Sequence, residues 1–145
     1  GKTFETVYLP EGSAIQKTPE SVVRVATSLE DRIKMGRIVY NTSCAACHQP
    51  DGKGIPAAFP PLAKSDWLNK DIKRSIGVVK NGLSGVIEVN GQKYNSIMPA
   101  LGLSDEDIAN VHTFVTHSWG NTKRVVTPAD VKAIKGGAPV SMEAH

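Results

Sequence analysis

Cys44-Ala45-Ala46-Cys47-His48 brings two thiols and an imidazole together within five residues. Two residues between the cysteines, with histidine directly after the second, is the spacing of a c-type haem attachment site. On one helical turn that spacing lets both sulfurs reach the two vinyl groups along one edge of a porphyrin. The histidine then offers its ring to the iron. Iron held between His and Met is the low-spin arrangement used for electron transfer, so a methionine is expected on the opposite face.

Three methionines are available. Met35 lies nine residues before Cys44 on the helix that leads into the motif, facing away from a group hung from that helix's end. Met142 sits in the C-terminal tail. Met98, in Ser96-Ile97-Met98-Pro99, comes fifty residues after His48, enough chain to pass around a porphyrin and return. Pro99 removes a backbone donor and stiffens the turn. Met98 is therefore the expected sixth ligand. His112 and His117 are the rival ligands, but both fall in or at the end of an apolar helix and read as structural or surface residues. His145 is terminal. A zinc site needs four ligands; His112 or His117 would have to join three crowded into five residues, which strains a tetrahedron. A thioredoxin-like redox pair would need a βαβ context, and the pattern contains none.

The elements that must position these residues can be read in order. Residues 1–27 show no helical period; Pro10, Gly12 and Pro19 punctuate them, and Thr3 to Leu9 alternates like a short strand. An extended arm or interdomain tether is expected. Ser28 and Asp31 resemble a capping box, and Leu29, Ile33, Gly36 and Tyr40 recur at helical spacing toward the motif. Residues 49–61, rich in Gly and Pro, form a loop around one face of the cofactor. Helix returns over 64–81, with Ser65 capping a short turn at Trp67, Asn69 capping a second helix, and Gly82 ending it. Asn90-Gly91 between apolar runs predicts a β-hairpin over 86–94. Ser104 caps the last strong helix, whose acidic first turn suits the helix dipole. Thr127 and Pro128 start one more short helix in 121–145.

At 145 residues and 15.5 kDa, one domain with an extension is expected. Aromatics make up only 6%, thin for a self-sufficient core, and a buried haem would supply the missing apolar volume. Both cysteines lie in the motif, so no disulfide framework is available. No run approaches the roughly 18 apolar residues of a membrane span. No charged-then-apolar leader is visible, so a mature or processed chain is expected. A net charge of +3 is not a nucleic-acid signature. The basic excess lies in 48–103, suited to steering an acidic partner.

Gly36 and Tyr40, the Cys44–His48 motif, Asp51-Gly52-Lys53-Gly54, Phe59-Pro60-Pro61-Leu62 and Met98-Pro99 before an amphipathic helix together resemble class I cytochromes c over about 28–120. The resemblance implies an all-α fold: three to five helices around one covalently bound haem c, with a short β-hairpin before the Met loop. First and last helices would cross at right angles, with Gly36 and Tyr40 meeting Val111 and Phe114. A proline carbonyl, from Pro60 or Pro61, would accept the His48 Nδ1 proton, and Trp67, Tyr94 and Asn95 would be donors to the haem edge or propionates.

Residues 85–99 and 118–121 are most similar to the haem domains fused to copper-containing nitrite reductases. An electron carrier in the periplasm follows, feeding a fused copper domain or another redox protein in denitrification. It would not be an enzyme by itself. The alternatives are a free or subunit cytochrome c serving a terminal oxidase or periplasmic dehydrogenase, and a sensor haem with a displaceable sixth ligand.

Overall fold

The computed structural model describes residues 25–95 and 97–142. The strand expected in residues 3–9 and the terminal His145 lie outside them, as does all but the end of the arm. Ser28 starts helix α1 (Leu29–Ser43), its Oγ accepting from Asp31 N at 3.0 Å. Asp31 does not return to the Ser28 amide. It accepts from Thr27 N at 2.9 Å, so the box closes one residue early. The motif follows as the single turn α2 (Ala45–His48).

Helix α5 (Asp105–Thr116), capped by Ser104, packs against α1. A Cβ on Gly36 would lie 2.0 Å from Asn110 O and 2.7 Å from Phe114 Cβ. Only glycine permits that approach. Four residues on, Tyr40 meets Phe114 (ring centroids 5.6 Å apart) and Trp119 (5.3 Å). Leu68, Val111 and Val115 complete this core. Gly36 thus faces Asn110 and Phe114, while Tyr40 shares a cluster with both Val111 and Phe114.

Helix α3 (Asp66–Lys70) is capped by Ser65 as expected. Helix α4 (Ile72–Asn81) is capped by Asp71, whose side chain accepts from Arg74 N at 3.1 Å. This corrects the assignment to Asn69, whose amide is used elsewhere: it donates to Ser65 O (2.7 Å) and Asn121 Oδ1 (3.0 Å) and accepts from Thr122 N (3.0 Å). Asn121 in turn donates to Leu62 O and Val115 O, tying the chain after α5 to α3 and the preceding loop.

Strands β1 (Val86–Val89) and β2 (Gln92–Asn95) pair antiparallel. Asn90 and Gly91 both take positive φ (52° and 82°), as the two-residue primed turn requires. Asp66 and Asn90 exchange reciprocal amide-to-side-chain hydrogen bonds that fasten the turn to α3. Helix α6 (Pro128–Lys132) has a true capping box between Thr127 and Asp130, and it packs on α4 and α5 around Ile76, Ile108, Val126 and Val131. The fold is therefore mostly helical with one small hairpin, as expected. No helix among the described residues is long and apolar enough to cross a membrane.

Candidate haem-binding cleft

Helix α1 delivers the motif to the molecule's interior. Cys44 N still bonds Tyr40 O, and His48 N bonds Cys44 O at 3.0 Å, so helical geometry continues through the five residues with a break at Cys44. Gln49 (φ 69°) then turns the chain into the following loop. Gly52 O accepts from Leu62 N and Ala63 N, and Gly54 N donates to His48 O. This folding back sets Pro60 O 2.8 Å from His48 Nδ1. A carbonyl only accepts, so Nδ1 carries the proton and Nε2 keeps its lone pair, the tautomer needed for iron. Burial pushes the His48 pKa down, opposed by the Pro60 hydrogen bond. A neutral ring is the form that binds metal.

His48 and Met98 both border a cleft of two lobes. The inner lobe is walled by Cys44, Pro60, Pro61, Leu62, Trp67 and Val111 among others. The outer lobe is walled by Cys47, Phe59, Tyr94 and Pro99 among others. His48, Pro60, Leu83, Ile87 and Met98 belong to both. Largely apolar walls with a few polar groups suit a cofactor pocket. Cys44 is half-buried and Cys47 exposed. Burial, with Cys47 beside it, pushes the Cys44 thiol up to about 11. The two sulfurs therefore edge successive lobes, with an imidazole and a thioether sharing both: a donor set and cradle that fit a covalently held haem.

Pro60, Pro61, Trp67 and Tyr94 all reach the cleft. Asn95 does not: it is exposed on β2, paired with Val86, and lines neither lobe. The strand's alternation turns Tyr94 inward and so turns Asn95 out. His117 lines neither lobe and bonds Thr113 O. Among the described residues, no group of three or more His, Cys, Asp or Glu side chains is arranged to hold a metal ion.

Two features were not anticipated from the sequence. His112 is fully buried on α5 and lines the inner lobe with Ser75. Its Nδ1 donates to Ile108 O (2.9 Å), so Nε2 accepts from Ser75 Oγ (3.1 Å). A polar residue on the apolar stripe of α5, one position after Val111, was the available signal. Arg74 stacks on the Trp67 ring at 4.0 Å and donates to Trp67 O, while its buried Nε has no partner among the described residues. Nothing in the local pattern marks it.

The chain belongs to the cytochrome c family, whose model matches residues 33–119. Cytochrome c-552 of Thermus thermophilus is 47% identical over 95 residues, covering 62% of this chain and 72% of that protein. The cytochrome c subunit of a quinone alcohol dehydrogenase from Gluconacetobacter polyoxogenes is 37% identical over 112 residues, covering 73% of this chain and 24% of that one. The gluconate 2-dehydrogenase cytochrome c subunit of Pantoea cypripedii is 35% identical over 128 residues, covering 81% and 28%. The chain thus spans about a quarter of the length of these two dehydrogenase subunits. The protein is an electron-transfer cytochrome c, not itself an enzyme, carrying one haem c covalently through Cys44 and Cys47. The association with a copper nitrite reductase finds no support in these relatives.

Proposed function

We propose that this chain carries electrons with His48 and Met98 as axial ligands, in the service of a periplasmic dehydrogenase or terminal oxidase. The observation that carries this reading is the sharing of both cleft lobes by His48 and Met98. The bound haem supplies a one-electron ferric/ferrous couple. The chain's residues do the rest. Pro60 O fixes the His48 ring, the Met98 thioether favours the ferrous state, and the apolar walls keep water out, which also raises the potential. Filled axial positions leave no room for substrate, which sets this reading apart from a sensor.

Electrons pass where the covering is thinnest, at Ala46 and Cys47, both exposed. The periplasmic setting rests on the attachment motif, since haem is generally joined to such motifs outside the inner membrane. The dehydrogenase reading is favoured over a nitrite reductase domain because dehydrogenase subunits align over most of this chain. Residues 1–27 are read as a tether raising local concentration at the partner.

An absorption spectrum tests the ligand pair. A weak far-red ferric band, lost in Met98→Ala with a lowered potential and new carbon monoxide binding, is expected. A band and potential unchanged in Met98→Ala would exclude Met98. A high-spin ferric wild type would favour the sensor.

A further inference from the structure

The tail after α6 runs back across the molecule and joins the segment that holds Met98. Leu83 sits between α4 and β1. On one edge it pairs antiparallel with Met98: Leu83 N donates to Met98 O (2.8 Å) and Met98 N to Leu83 O (3.0 Å). On its other edge lies Val140, running parallel: Val140 N donates to Gly82 O (2.8 Å) and Ser84 N to Val140 O (3.0 Å). Val140, Leu83 and Met98 are thus three rungs of one short ladder, with Leu83 in the middle.

The tail is anchored on the way there. Lys80 Nζ donates to Val131 O (2.9 Å) and Ile134 O (2.7 Å), carbonyls at and beyond the end of α6. Asn81 donates to Lys135 O and accepts from Gly137 N. Beyond the ladder, Val140 and Met142 pack on the cluster of Val78, Leu83, Ile87, Val89 and Tyr94, which Met98 and Trp67 also join. Both faces of the Leu83 backbone are therefore closed, one by the Met98 loop and one by the tail.

We propose that the tail is a positioning strap for Met98. By completing the outer edge of the Leu83 segment, Val140 holds the backbone on which Met98 is hung, and so keeps the sixth position closed. Two-edged pairing leaves Leu83 no freedom to follow an outward swing of the Met98 loop. With the Val140 edge open, Gly82 O and Ser84 N turn to water, and the Leu83–Met98 pair becomes an exposed two-chain bridge. The strap acts on the ligand's backbone and touches no reacting atom.

This rests on Met98 being the ligand, so the test uses the full-length haem-loaded protein beside Met98→Ala. Two variants open the strap: Val140→Pro, which removes the donor to Gly82 O, and a chain ended after Ile134, which removes both hydrogen bonds together with the Asn81 anchors and the Val140 and Met142 packing. Three readouts are followed: thermal loss of the far-red ferric band, thermal loss of helical circular dichroism, and the rate at which the ferrous protein captures carbon monoxide. The band should melt well below the helices in both variants but close to them in the wild type. Two backbone hydrogen bonds of ordinary net strength correspond to roughly a thirtyfold larger open population, so carbon monoxide capture by the shortened chain should rise by at least about thirtyfold.

If both variants keep the wild-type gap between band and helix melting, and the wild-type capture rate, the strap is refuted while Met98 ligation stands. If band and helices fall together by the same amount, the tail contributes general stability only and the positioning role is refuted. If Met98→Ala itself retains the band, the ligand reading fails first, and the strap with it.

Discussion

The two sides of the cleft are built in opposite ways. His48 is placed by contiguous chain: α1, one further turn, and a loop that returns Pro60 to it within twelve residues. Met98 is placed through two other segments, Leu83 on the far side of the hairpin and Val140 in the tail, forty-two residues further on. A ligand set by local geometry moves only if the α1–α5 frame moves. One set by long-range pairing can be released while that frame survives, because local opening needs only the loss of a few exposed hydrogen bonds. With Met98 as the proposed ligand, the Met98 side is therefore where this protein is expected to open first.

The strongest way to break that contrast is Gly36→Ala. Its Cβ would collide with Asn110 O at 2.0 Å, backbone that cannot give way within α5. A loss of about 3 kcal/mol is expected in denaturant unfolding, with the far-red band and helical signal lost together because the shared frame is hit. An effect under about 0.5 kcal/mol would mean the crossing adjusts freely.

Gly82→Ala sharpens the contrast from the other side. Gly82 holds φ 94° and ψ 174°, a region essentially restricted to glycine. An added Cβ would lie 3.0 Å from Met98 O. A smaller cost of about 2 kcal/mol is expected, with the band melting ahead of the helices. Coincident melting in this variant would undo the distinction between the two sides.

The smallest effect concerns His112. Burial lowers its pKa in the folded state, against the hydrogen bond to the Ile108 carbonyl that raises it. The unfolded chain therefore binds a proton that the folded chain refuses, so this contribution to stability is intact above the unfolded value of about 6.5 and is lost as pH falls below it. His112→Gln, which cannot titrate, should flatten the acid limb of stability against pH. His48 shifts in the same direction but is untouched by the replacement, so the difference between the curves isolates His112. Identical slopes would show that His112 does not enter the linkage.

Much of this was legible beforehand because it depends on neighbours in the chain. The haem motif, the Ser28, Ser65, Ser104 and Thr127 caps, the Asn90-Gly91 turn and the Gly36–Tyr40 face of α1 are set by spacing and side-chain type. Where two suitable residues stood close together, the pattern could not choose. Asn69 and Asp71 are both competent caps, and Asp71 takes α4 because Asn69 is drawn to Asn121 and Thr122, more than fifty residues away. The exposure of Asn95 was not legible, because the phase of β2 is fixed by which face meets the cluster around Leu83 and Ile87.

The cofactor, its covalent anchors Cys44 and Cys47, and the expectation that His48 turns to the iron could be read from residue order alone, since these follow from chemistry within one helical turn. Tertiary structure alone decided which carbonyl orients that histidine, that His112 lines the inner lobe, and that residues 121–142 close over the domain rather than leave it. Those outcomes depend on backbone groups brought together across tens of residues. Every residue carries the same amide and carbonyl, so no side-chain pattern announces which of them will pair.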